Sequence, residues 1–184
     1  LVLAKRRFRG YSGIARIVGG VAALSAACLL SLPGVPANAS VHLITWGIVL
    51  VIAVGVNYGA LAMWFWCDPQ VHRNPSHLLP AGDAIPALLA GGMISYALLR
   101  AGTLGTLFGV WMCCYGLAHV AHRASLPRAN YLLGWFYLFC GGGLFLRGNP
   151  SFLNPWPMGM IFFIGELLGG ITLIRLDKQS GKVG

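Results

Sequence analysis

Six stretches of this chain are each long and apolar enough to cross a lipid bilayer, with short polar breaks between them. A spanning helix needs about 20 mostly apolar residues, because backbone N–H and C=O groups in hydrocarbon must be satisfied within the segment. We place the six at about 14–32, 42–66, 84–100, 104–122, 129–147 and 155–175. A closed β-barrel also hides its backbone from lipid, but its strands alternate apolar and polar residues over about 10 positions. The runs here are continuous. The expected fold is therefore all-α, a polytopic transmembrane helix bundle forming a single integral membrane domain over 1–184.

Composition agrees. Charged residues make up 9% of the chain, against roughly 25% in soluble domains, which is too few to build a water-facing surface. The longest break, Cys67 to Asp83, is too short for a soluble domain. Several helix ends carry chemical markers: Asp83 as a cap with Pro86 in the first turn, Ser125 with Pro127, and Asn154 with Pro155. Trp46, Trp64, Trp66, Tyr131 and Trp156 fall near predicted ends, as an interfacial belt requires.

The net charge of +9 is explained by topology. No basic stripe with interleaved aromatics lies outside the apolar runs, so nucleic acid is not an expected partner. Lys5, Arg6, Arg7, Arg9, Arg16, Arg73, Arg123, Arg128, Arg175, Lys178 and Lys182 collect on one side, and Arg100 and Arg147 on the other. Since cytoplasmic loops carry the excess of Lys and Arg, both termini are expected in the cytoplasm, with the chain in a bacterial inner membrane.

Residues 33–40, PGVPANAS, raise an alternative. A basic segment, an apolar core and Ala37-Asn38-Ala39 match a signal peptide cut after Ala39, which would leave five helices. The GxxxA and AxxxA spacings Gly19–Ala23, Ala23–Ala27 and Ala22–Ala26 favour a retained helix that packs closely on a neighbour.

Glu166 is the one acidic residue deep inside an apolar run, eleven residues from Pro155 and nine from Arg175. Intramembrane acids face the bundle or a wet cavity and are functional candidates. Gly165 and Gly169 form a GxxxG beside it, which admits close helix packing. Asn57, Tyr58, Tyr96, Tyr115 and Tyr137 lie at similar depth as possible hydrogen-bond partners. No Lys or Arg is expected at that depth, so the carboxyl should be neutral and hydrogen-bonded, or a ligand or proton site.

A second constellation gathers four histidines on the cytoplasmic side: His72 and His77 in a loop, and His119 and His122 three apart on a helix face. With Asp68, Asp83 or Cys67 they could ligate a metal, although H-E-x-x-H is absent. The five cysteines form no C-x-x-C pair. No G-x-S-x-G or phosphate-binding loop occurs, and the residues name no cofactor.

No motif is specific enough to name a relative. In size and helix number alone the chain resembles the membrane substrate-binding subunits of vitamin importers. Three functions are open: a small-solute transport or substrate-binding component with its site near Glu166; a noncatalytic accessory subunit of a larger membrane complex, held through small-residue helix faces; and a membrane enzyme with a cytoplasm-facing His/Asp metal site.

Overall fold

The structure is a computed structural model that describes residues 11–67, 69, 75–148 and 151–181. It is helical throughout, with no strand among the described residues and six helices long and apolar enough to span a membrane. In chain order these are α1 (Gly13–Leu30), α2 (Ala39–Cys67), α3 (Ile85–Ala101), α4 (Leu107–Ala121), α5 (Arg128–Leu146) and α6 (Trp156–Gly181). Short 3-10 turns, Pro75–Gly82, Leu104–Thr106 and His122–Ala124, lead into or out of α3 and α4.

Local chemistry sets the ends. The Ser12 hydroxyl accepts from the Ala15 N–H at 3.2 Å and caps α1. Asn38 Oδ1 accepts from Val41 N–H at 2.9 Å, so the Asn of PGVPANAS starts α2 and Ala39 is its first residue. Asn154 Oδ1 takes the Trp156 N–H at 3.3 Å. Asp83 does not cap α3: the cap position is Ala84 and makes no side-chain bond, while Pro86 sits in the first turn as expected. Gly102 ends α3 in the left-handed region, φ 69°, where a residue without Cβ meets no steric penalty.

Small residues decide which helices meet. A Cβ added at Gly13 would lie 2.5 Å from the Gly170 carbonyl, and one at Gly20 would lie 2.9 Å from the Glu166 Cβ. Ala27, seven residues further on, meets Gly159. The same seven-residue step joins α4 to α5, through Gly109 against Gly141 and Gly116 against Gly134. A seven-residue step keeps residues on one seam of two gently supercoiled helices, so both antiparallel pairs pack nearly backbone to backbone.

The pairs α1–α6 and α4–α5 make the inner bundle, and α5 also touches α6. Helix α2 leans on α1, where Ala53 meets Gly19, and α3 leans on α4, where Gly91 meets Cys114. These two helices are peripheral, with only 11% and 6% of their spanning windows buried, against 50% for α1.

Candidate functional site

The inner bundle buries one polar cluster, and α6 supplies its centre. Glu166 is 4% exposed and points into the bundle. Across from it, α1 sends in Arg16, 6% exposed. The guanidinium binds the carboxylate through two hydrogen bonds, Nε to Oε2 at 2.9 Å and Nη2 to Oε1 at 2.8 Å. This bidentate fork is the strong geometry for an ion pair, and Arg holds it better than Lys because its donors are rigidly planar.

This corrects the expectation that no cation reaches Glu166. Arg16 sits near the start of α1, beside the basic N-terminal segment, and was counted with the solvated charges. Antiparallel packing sets Arg16 beside Gly169, less than one turn from Glu166, and its long side chain covers the rest. Without Arg16 the charge bias is still ten against two.

Tyr115 of α4 and Tyr137 of α5 each donate to Oε1 at 3.0 Å. The carboxylate thus accepts four hydrogen bonds, all from donors, which matches its ionised, acceptor-only form. Arg16 Nη1 donates to Asn130 Oδ1 at 2.8 Å, and Nη2 approaches His119 Nε2 at 2.7 Å. His119 Nδ1 lies 3.0 Å from the Tyr115 carbonyl, which only accepts. Nδ1 therefore carries the ring proton, and Nε2 of a neutral imidazole accepts from Arg16. Asn130 closes the circuit by donating to the His119 carbonyl at 3.4 Å.

Two glycines of α6 make room for this cluster. A Cβ at Gly169 would lie 2.6 Å from Arg16 Nη1, and one at Gly165 would collide with the Tyr137 hydroxyl. The GxxxG thus admits side chains: the guanidinium lies against one glycine and the phenol against the other. Phe162 seals the cluster, with ring centroids 5.0 Å from Tyr115 and 5.1 Å from Tyr137.

Of the partners expected for Glu166, the structure brings Tyr115 and Tyr137 to it and leaves Asn57, Tyr58 and Tyr96 away. Asn57 donates to the Ala53 carbonyl of its own helix at 2.8 Å, and Tyr96 is 65% exposed on peripheral α3. The Tyr58 hydroxyl reaches the Ala81 carbonyl at 3.4 Å. Sequence reading missed Arg16 and Asn130. The available signal was Arg16 following the Ser12 cap, which already places it inside a helix.

No group of three or more His, Cys, Asp or Glu suited to a metal ion occurs among the described residues. His119 faces Arg16, whereas His122 bonds the Ala118 carbonyl through Nδ1 at 2.8 Å and accepts from the Tyr11 hydroxyl through Nε2 at 2.7 Å. Both rings are buried, with each nitrogen engaged within the chain. His72 and the His77 side chain lie outside the described residues. Burial pushes the Tyr11 hydroxyl above its ordinary range, with Tyr58 and Asp83 adding to the effect, so it stays a protonated donor to His122.

Space beside the ion pair is small. A cavity of about 10 Å³ lies against Arg16, Asn130 and Gly169, room for roughly one water. A larger recess of about 310 Å³ opens on the face that bears the termini, between residues 11–14 and 174–178. The ion-pair cluster can hold four helices together with no net charge left over. Its principal polar groups are hydrogen-bonded to one another. No family model, curated protein or solved structure matches the chain.

Proposed function

We propose that the protein is a noncatalytic accessory subunit of a larger membrane complex, with a rigid ion-paired inner bundle that presents α2 and α3 to its partner. The observation that carries this reading is the closed hydrogen-bond circuit around Glu166. Four donors saturate the carboxylate, and Arg16, Tyr115, His119, Asn130 and Tyr137 are engaged inside the chain. A small-solute transport site at Glu166 would require this circuit to open around a cavity far larger than 10 Å³.

The partner we propose is an apolar helix of another membrane chain. A Cβ added at Gly47, Gly55 or Gly59 of α2 or at Gly92 of α3 would meet no neighbouring element within 4 Å, and Gly55 and Gly59 form a GxxxG. Small residues of this kind let a second helix approach closely where lipid would otherwise lie. The surplus of basic residues supports placing the termini in the cytoplasm of a bacterial inner membrane.

Native purification followed by mass spectrometry tests the reading. A membrane protein that co-purifies with the wild type and is lost from the Gly55→Leu, Gly59→Leu variant supports it. A tightly bound small molecule released together with an opened Glu166 site would replace it with the transport reading.

A further inference from the structure

We propose that His42 is an acid-responsive latch on the face opposite the termini. His42 lies in the first turn of α2, is 1% exposed, and its Nδ1 has no hydrogen-bond partner among the described residues. One turn further, Trp46 is 4% exposed and its Nε1 is likewise unpartnered. Buried polar atoms are almost always paired, so two orphans one helical turn apart mark a place where stability has been given up.

The rings around them form an aromatic plug. His42 packs on Phe152 with centroids 5.9 Å apart, Trp46 on Phe108 at 5.7 Å, Phe108 on Phe152 at 5.0 Å and Trp111 on Phe152 at 6.2 Å. Ala27 and Leu30 of α1 and Met158 of α6 complete the same core. The plug therefore ties α1, α2, α4 and α6 to the turn that carries Phe152.

The Phe152 backbone lies within reach of the His42 ring as an acceptor, but no anion among the described residues packs here to balance a charge on it. Helix α1 contributes Ala27 and Leu30, α4 contributes Leu107, Phe108, Met112 and Trp111, and α6 contributes Met158. The titratable group bordering the core is the Cys140 thiol of α5. Arg100 and Arg147, at the ends of α3 and α5 on this face, are cations, and the described acids Asp83, Glu166 and Asp177 lie elsewhere in the fold. A proton on Nδ1 would create a buried cation with no anion beside it, and an unpaired buried charge is strongly disfavoured. The ring escapes by swinging to water, a short path from the first turn of α2. Phe152, held on a turn and not on a helix, is the element that gives way.

The test uses the full chain in lipid nanodiscs, following tryptophan emission and acrylamide quenching as pH falls from about 7.5 to about 4.5, the range that spans histidine titration. Wild type should show a reversible one-proton red shift with increased quenching, while His42→Phe and His42→Gln stay flat. A wild type that does not respond, or a response that survives both substitutions, overturns the latch. Should both variants fail to fold, wild-type proteoliposomes acidified on one side decide: the latch requires the response to follow the face opposite the termini, and a response to the terminal face alone overturns it.

Discussion

Helices α1 and α2 are neighbours in sequence with similar mean hydropathy, 1.9 and 2.2, yet 50% of the first is buried and 11% of the second. The difference lies in side-chain size and in one charge. Helix α1 carries Gly13, Gly20 and Ala27 on one seam and so fits against α6, whereas α2 surrounds its glycines with Ile48, Val51, Ile52 and Met63, which face outward. In lipid an apolar side chain gains little by leaving the bilayer for a protein interior, so hydropathy does not sort helices into inner and outer places. Close packing and the pairing of Arg16 with Glu166 do.

The largest expected effect comes from breaking that pair. Glu166→Gln leaves Arg16 buried without its counter-charge and should cost about 3–5 kcal/mol, read as a lower thermal midpoint in detergent. The double variant Arg16→Met, Glu166→Leu should recover much of that loss, because both charges then leave together. If the double variant is as unstable as the sum of the singles, the pair is not the lock between α1 and α6.

Next come the groups that fit around the pair. Gly169→Val places a branched side chain against the guanidinium and should cost about 1–3 kcal/mol by overpacking. Tyr137→Phe removes a hydrogen bond to a carboxylate and should cost about 1.5–3 kcal/mol. Both should disturb α1 and α6 first, which cysteine accessibility along α1 would report. The smallest effect belongs to α2: Gly55→Leu should change the stability of the isolated chain by no more than about 0.5 kcal/mol while abolishing co-purification of a partner. A large destabilisation from Gly55→Leu would erase the contrast between the two helices.

The spans were legible because continuous apolar runs bounded by caps and prolines leave few alternatives. The expected 129–147 and the observed Arg128–Leu146 differ by one residue at each end. Glu166 was legible for the same reason, as a charge where charge is costly. Its partner was not. Arg16 reads like a flanking basic residue, and nothing local distinguishes a guanidinium that faces headgroups from one that turns inward. Asn57 and Tyr96 shared the right depth with Tyr115 and Tyr137, but depth does not say which helix is central, and α2 and α3 are not. A common helix face did not give His119 and His122 a common target: three positions of rotation turn His119 toward Arg16 and His122 toward Tyr11.

The amino-acid pattern alone was enough to establish an all-α bundle with six stretches able to span a membrane, because backbone polar groups in hydrocarbon permit almost no other structure for such runs. Helix packing was needed to bring Arg16 onto Glu166, to set Gly165 and Gly169 against the side chains around it, and to seal His42 among aromatic rings. Those outcomes depend on which helices meet and in what register. Contacts between residues as far apart as 16 and 166 set that register, and no local pattern encodes it.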